Sequence, residues 1–323
     1  MEFIDRHTRD LDVEEWDDLM TRIASPNIFF SHWFLRAWQK SVGVDHKLVN
    51  FLIRKNNKLV GVIPIVKENS NLKLGGDPNL FDYQDLVIEK GMETEVINVL
   101  FDYLAKTKWT TLELPSVPQD SLNTIALMEI SKQRNYSIKL SECGVAPIAQ
   151  LPDSWESFVA SLRKKHRHEL RRKIRRIENM GEVKQVSLSK PLDQDISEFF
   201  KLMKLTSQAK SSFLTPNIEK FFRSLIQEAS SNDCVHLSFL EFNNRRVAGC
   251  LVFDYQGEFM LYNSGYDSSN RELSAGLINK AYTIKEAISL QKSRFNFLKG
   301  SERYKYELGG LDTLINNVLI IRN

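Results

Sequence analysis

The chain has 323 residues, 42% of them hydrophobic and 26% charged, with a formal net charge of +3. These are ordinary proportions for a globular protein, and the net charge is too small to imply a partner by itself. Three widely spaced cysteines without a C-x-x-C, and six histidines that do not cluster, argue against a disulfide framework, a zinc knuckle or any other metal site.

In chain order, "EFIDRH" (2–7) alternates and predicts a strand. "VEEWDDLMTRI" places Val13, Trp16, Leu19, Met20 and Ile23 at helical spacing. Ser31 stands where it caps a second helix, "HWFLRAWQKSV". Strands over about 47–54 and 58–67 flank an Asn56-Asn57 turn, and "YQDLVI" (83–88) predicts another strand. "METEVINVLFDYLAKT" is an amphipathic helix, and "TTLEL" (110–114) is a strand stopped by Pro115 and Pro118. A helix, "DSLNTIALMEISKQR", and two strands, "YSIKL" and "VAPIAQL", close this half.

The second half repeats the order. "EVKQVSL" (182–188) is a strand, "DISEFFKLMKLTSQA" and "NIEKFFRSLIQEA" are helices, and "VHLSFLEF" and "RVAGCLVFDY" form a hairpin about Asn243-Asn244. "EFMLYNSGY" (strand), "LSAGLINKAYTIKEAISL" (helix), "RFNFL" (strand), the short "SERYKYEL" and a final strand, "TLINNVLII", come next. Both halves read β-α-α-β-β-β-α-β-(α)-β over about 150 residues, which predicts duplication of one domain rather than a solenoid. The expected boundaries are 1–152 for the first domain, 153–181 for a connecting helix and 182–323 for the second domain.

That connecting segment, "SWESFVASLRKKHRHELRRKIRRIENMG", has Ser154 at its start and Gly181 at its end as caps. Trp155, Phe158, Val159, Leu162, Leu170, Ile174 and Ile177 form an apolar stripe through it. Between 163 and 176 nine Lys or Arg face one acid, Glu169, a local balance of +8. Such a run is either a solvated helix face or a surface for phosphates, whether of a nucleotide-linked or lipid-linked substrate, an RNA or an anionic membrane leaflet. No aromatics are interleaved to stack bases. The N-terminus is charged from its second residue, and no apolar run approaches the ~20 residues of a spanning helix. No transmembrane segment or secretory signal is therefore expected, and a cytoplasmic location is the default.

The element order resembles that of the GNAT acyltransferase fold. The expected class is therefore α/β (α+β), with tandem GNAT-like domains. Each has a mixed, mostly antiparallel sheet, helices on both faces and splayed fourth and fifth strands, and a long basic helix joins the two. "YNSGYDSSNRELSAGLINKAY" resembles the GNAT donor turn, R/Q-x-x-G-x-G/A, as Arg271-x-x-Ser274-x-Gly276, with Ser274 where the first glycine usually stands. Small residues there let a pyrophosphate approach main-chain N–H groups at a helix N-terminus. The corresponding turn of the first half, "VIEKGMETEV", puts Glu93 and Glu95 at the helix start, which implies that this half has lost donor binding.

Over nearly its whole length the chain resembles the CelD-like acetyltransferases of the GNAT superfamily, bacterial proteins associated with cellulose and exopolysaccharide formation. Those are similar in turn to the FemABX aminoacyltransferases, which are also tandem GNAT proteins. The likeness rests on "FFSHWFLRAW", "LKLGGDPNLFDYQDLVI", the basic "LRKKHRHELRRKIRRIE", "YNSGYDSSNRELSAGL" and "FNFLKGSERYKYELGG". Departures are Phe81 for the usual Ser, Asn296 for the usual Asp, and Ala275 where Pro is common.

The resemblance implies transfer of an acyl group from acetyl- or another acyl-coenzyme A to an amine on a cell-envelope, exopolysaccharide or nucleotide-sugar-type precursor. It implies donor binding by Arg271, Ser274, Ala275, Gly276 and Leu277 and a backbone oxyanion donor near Asn263 and Ser264. Tyr304 would be the general acid and Asp267 the base. Asp82, Tyr83 and Asp85 would line an acceptor cleft, while Arg303 and Lys305 would hold an anionic group. Each has a simpler alternative: Tyr304 packs a core edge, Asp82 and Asp85 shape a loop, Asp267 caps a turn, and Ser274 caps a helix with no ligand. Two rival functions stay open, an aminoacyl-tRNA-dependent aminoacyltransferase and a non-catalytic binding protein.

Overall fold

The computed structural model describes residues 2–7, 12–44 and 48–323. The chain forms two compact units, one running to Val145 and including Thr313–Asn323, the other Ala146–Asp312.

The first unit contains β1 (Glu2–His7), α1 (Val13–Arg22), α2 (His32–Gln39), β2 (Leu48–Lys55), β3 (Lys58–Glu68), β4 (Asn71–Leu74), β5 (Val87–Ile88), α3 (Glu93–Ala105), β6 (Thr111–Pro118), α4 (Leu122–Gln133) and most of β7 (Ser137–Gln150). The predicted first residue of β2, Lys47, lies outside the described residues. The strands β1-β2-β3-β4-β6 neighbour one another in that order. β1, β2, β3 and β4 pair antiparallel, and β4 runs parallel to β6. An aromatic core sits behind them. Phe29, Phe30, Phe34 and Phe81 are wholly buried, and the Phe81 ring lies 5.0 Å from Phe34 and 5.7 Å from Trp38.

The second unit contains the end of β7, α5 (Trp155–Ser161), α6 (Lys164–Met180), β8 (Val183–Leu188), α7 (Asp193–Thr206), α8 (Gln208–Phe213), α9 (Pro216–Ser231), β9 (Val235–Phe242), β10 (Arg245–Tyr255), β11 (Glu258–Tyr266), α10 (Ala275–Ser289), β12 (Arg294–Asn296) and α11 (Arg303–Glu307). Its strand order is β7-β12-β11-β10-β9-β8. β11 and β12 pair in parallel only over Glu258–Met260 and Arg294–Asn296; β11 then parts from β12 and runs on to Tyr266 beside β10. That is the splay expected of a fourth and fifth GNAT strand.

The duplication reaches the turn geometry. Asn56 and Asn57 have φ of 53° and 63°, and Asn243 and Asn244 have 47° and 60°. Two successive residues at positive φ make the hairpin turn whose twist matches its strands, and Asn tolerates it. Both hairpins also carry an unpaired residue at the same step, Val60 in β3 and Val247 in β10.

Several expectations change. β6 runs through Pro115, where a stop was expected, and only Val87–Ile88 of the strand expected at 83–88 forms. The two strands expected at 137–141 and 145–151 are one, β7. The basic segment is two helices rather than one, broken where Leu162 and Arg163 are extended (ψ 146° and 138°). The break lets Phe158, Val159, Leu162 and Leu170 enter one core cluster while Ile177 enters another, so the segment belongs to the second unit. Finally, β13 (Leu311–Ile321) pairs antiparallel with β6, so the chain's last residues belong to the first unit.

Candidate functional site

Strand β11 and the helix after it build the main cleft of the second unit. Leu251 pairs with Asn263 but Val252 with Leu261, so Tyr262 is the extra residue of a β-bulge. A bulge bends its strand and re-aims the residues beyond it. Gly265 then lets β11 lie against α7, since an added Cβ would stand 2.4 Å from the Met203 backbone nitrogen. After Tyr266 the chain turns. Asp267 Oδ1 accepts from the Ser269 N–H (2.9 Å) and hydroxyl (2.6 Å), and its Oδ2 accepts from Asn270 Nδ2 (3.0 Å).

A short 3-10 turn, Arg271–Leu273, delivers Ser274 at φ 51° and ψ 30°, in the left-handed region. This conformation costs a residue with a Cβ roughly 1–2 kcal/mol, which explains why glycine suits the position. Ser274 does not cap the helix with its side chain. Its hydroxyl instead accepts from Arg176 Nη2 of α6 at 3.2 Å. Leu277 and Ile278 donate to Ser274 O, while the Ala275 and Gly276 N–H groups have no acceptor among the described residues. Two open amides at the positive end of a helix dipole favour an anion.

A cleft of about 450 Å³ opens over this turn, lined by Arg271, residues 274–277, Lys173, Lys280, Tyr266 and Tyr304. Gly276 is required by a neighbour: a Cβ there would meet the Tyr266 ring at 2.8 Å. Lys280, one turn into α10, is only 4% exposed. Its Nζ donates to Gly276 O at 3.1 Å and stands 4.7 Å from the centre of the Tyr304 ring. Burial pushes its pKa down, against the opposing pull of Cys250 and Glu302. The basic helix divides its charges. Arg163, Lys164, Lys165, Arg171, Arg172 and Arg175 face solvent, whereas Lys173 lines the cleft and Arg176 reaches Ser274. The Arg176 Nε is buried with no acceptor among the described residues.

A second group assembles at the bulge. The end of α7 is fastened to the end of β11. Tyr266 N–H donates to Thr206 Oγ1 (2.8 Å), that hydroxyl donates to Tyr266 O (3.2 Å), and Ser268 Oγ donates to Leu205 O (2.7 Å). Ser207 caps α8, which carries Lys210 to β11. Lys210 Nζ donates to Asn263 Oδ1 at 3.0 Å and to Ser264 O. Burial, followed by the Lys280 charge, lowers its pKa to about 8.

The structure thus brings Arg271, Ser274, Ala275, Gly276, Leu277 and Tyr304 to one cleft. Asn263 and Ser264 lie at the bulge, but the Ser264 N–H is already bonded to Asn263 Oδ1 at 2.8 Å. Asp267 lines a neighbouring cleft of about 670 Å³ with Glu198, Lys201 and Arg246. Its turn bonds to Ser269 hold its pKa down, a poor property for a base, and favour the turn-capping alternative. Lys305 is buried, with its ammonium on the carbonyls of Leu298, Lys299 and Gly300 and on Glu302, so it anchors a loop rather than an anion. Arg303 is an exposed partner of Glu307. In the first unit Tyr83 and Asp85 line a pocket of only about 30 Å³ with Glu93 and Asn123. Asp85 accepts from the Leu86 N–H and Asn123 Nδ2, and burial pushes its pKa up. Asp82 lies between the buried Phe81 and Tyr83. Sequence reasoning missed Lys210, Lys280, Lys173 and Arg176. Lys280 left a usable signal, a lone lysine on the apolar face of a helix between Ile278 and Ala281.

Asn296, where the resembled family has Asp, faces the buried Glu258, with Nδ2 3.5 Å from its carboxylate. A second carboxylate would repel the first there.

These features define a tandem GNAT fold. Residues 164–306 match the family model of the acetyltransferase (GNAT) domain. The chain is similar along 100% of its length to the crystal structure of FemX, with a TM-score of 0.72 at 10% identity over 98% of that chain. It is similar to the C-terminal domain of a putative lysylphosphatidylglycerol synthetase from Agrobacterium fabrum, with a TM-score of 0.61 at 8% identity, covering 97% of this chain and 92% of that one. It is also similar to a tandem GNAT protein from the clavulanic acid biosynthesis pathway, with a TM-score of 0.53 at 10% identity, covering 98% and 97%. No curated protein matches the chain. Residues 164–306 thus match an acetyltransferase (GNAT) domain, and the chain as a whole has the tandem GNAT fold of those structures. No described helix is long and apolar enough to cross a membrane.

Proposed function

We propose that the second unit transfers an acyl group from acyl-coenzyme A to a primary amine on a cell-envelope, exopolysaccharide or nucleotide-sugar-type acceptor, in the manner of the CelD-like proteins. One observation carries this reading: the left-handed Ser274 leaves the Ala275 and Gly276 amides open to a cleft that also holds Arg271, Lys173 and Lys280. Those groups would hold a pyrophosphate, and the donor would supply an activated thioester carbonyl. Tyr304, at the same cleft, would protonate the leaving thiolate. The resemblance would put the carbonyl near Asn263 and Ser264 at the bulge, beside Lys210. The engaged Ser264 N–H means that an oxyanion there would compete with Asn263 Oδ1 for this donor.

A second reading, aminoacyl-tRNA as donor, draws support from α6, whose solvent-facing arginines and lysines adjoin the two that reach the cleft. Thermal unfolding separates the two. Acetyl-coenzyme A at a large excess over its Kd should raise the melting temperature by several degrees, because a ligand that binds only the native state stabilises by mass action. Stabilisation by charged tRNA and none by coenzyme A would replace the first reading with the second. No response to either would point to a binding protein without catalysis.

A further inference from the structure

Lys210 sits at the bulge of β11, where the proposed function puts the thioester carbonyl. Two acceptors, Asn263 Oδ1 and Ser264 O, hold its nitrogen. A neutral amine bonded in this way spends two hydrogens on the acceptors and keeps its lone pair for a further direction, which is the arrangement a nucleophilic amine needs. The position is built. Thr206 and Ser268 fasten the end of α7 to the end of β11, Gly265 permits the close approach, and the Ser207 cap starts α8. The groups that act on the nitrogen come from three other elements: Lys280 of α10, Cys250 of β10, and Glu302 just before α11. Lys280 and burial disfavour the ammonium, so the free amine becomes available as pH rises through about 8.

We propose that Lys210 occupies the place of the acceptor amine and is itself acylated there by a thioester donor. The inference rests on the acyl-thioester reading above. In the reaction the neutral Nζ attacks the thioester carbonyl and a C–N bond forms. The C–S bond then breaks, with its electron pair leaving on sulfur. The proton shed by nitrogen ends on the thiolate, so the products are an Nζ-acyl lysine and a free thiol. The amide has a single N–H, so one of its two present acceptors loses its donor and the positive charge leaves the bulge. An incoming acceptor amine must therefore displace Lys210 from the bulge, and acylation at Lys210 removes that competitor.

The test uses the full chain, purified and incubated at about pH 8 with acetyl-coenzyme A or, separately, with S-acetyl-N-acetylcysteamine, a thioester lacking the phosphates. Intact mass and peptide mapping read the result. The expected outcome with acetyl-coenzyme A is one acetyl group, located on Lys210, formed at least tenfold faster than on any other lysine and faster at pH 8 than at pH 6.5. Lys210→Arg, which keeps the charge, should abolish that single modification while its melting temperature reports an intact fold. Labelling of Lys210 by the truncated thioester alone upholds Lys210 as an acyl acceptor and refutes coenzyme A as the donor. Absence of selective acetylation at Lys210 with both thioesters overturns the proposal. If coenzyme A nevertheless raises the melting temperature, the donor reading survives it.

Discussion

The same strand-to-helix turn has opposite characters in the two units. In the second, β11 is continuous, bulges at Tyr262, and leads to a helix whose first amides are open beside Arg271, Arg176 and Lys280. In the first, the equivalent strand is broken into β4 and β5, and the residues between them carry Leu80, Phe81, Tyr83, Gln84 and Leu86 into the core. The following helix, α3, starts with carboxylates. Glu93 accepts from the Gly91 N–H at 2.9 Å, and Glu95 pairs with Lys55 at 2.7 Å. Two carboxylates therefore put negative charge at the helix end that would otherwise attract an anion. One copy uses its fourth strand for packing, and in the other that strand leads to an open cleft.

The comparison is broken most severely at Phe81, the aromatic anchor of the inserted loop. Phe81→Ser, which restores the residue of the resembled family, should cost about 3–5 kcal/mol by leaving a cavity among Phe29, Phe34 and Trp38. Urea denaturation checks it, and a change under about 1 kcal/mol would mean that the loop is not a core element.

A pH effect between about 6.5 and 9 should distinguish the two hairpins. At the hairpin position where the first unit has Val49, β9 has His236, and its ring faces Asp254 and Glu286. Burial opposes its charge, but the bonds to these two carboxylates outweigh it and raise its pKa to about 9. The unfolded value is near 6.5, so the stabilisation is complete below that pH and disappears as pH rises through about 9, with a size of roughly 2–3 kcal/mol. Hydrogen exchange should report loss of protection in β9 but not in β2 across this window, and His236→Gln should remove the dependence.

Ser274→Asp would give the second unit the character of the first, with a carboxylate against the open amides. Donor affinity measured by calorimetry should fall at least tenfold, about 1.4 kcal/mol, with little change in melting temperature. The control, Glu93→Ser, should leave it unchanged. Unaltered affinity in Ser274→Asp would remove the pyrophosphate from this turn.

The smallest effect concerns backbone strain. Ser274→Gly should stabilise the protein by about 1 kcal/mol by relieving a left-handed Cβ, whereas Gly91→Ala, at φ 87° with no atom near its missing Cβ, should destabilise it by a similar amount. Thermal melts resolve both.

Much of this contrast is legible without coordinates, because it is local. The two Asn-Asn hairpins, the small residues at 274–276 and the acids at Glu93 and Glu95 act over a few residues, and propensity and charge are enough to read them. The break at Leu162 was less legible, because the apolar stripe runs through it and only packing into two separate clusters requires the kink. Lys305 misled for the same kind of reason. Its charge suggested an anion, but its burial and three carbonyl partners are tertiary facts.

By itself the sequence determined the duplicated order of elements, the small-residue helix start in one copy and the acidic helix start in the other. Periodicity, turn chemistry and charge are short-range properties written residue by residue. The tertiary structure alone decided that β13 returns to β6, that Arg176 bonds Ser274 across 98 positions, and that Lys210 meets Asn263 across 53. Those pairings depend on which surfaces the folded chain buries together, and no local pattern encodes them.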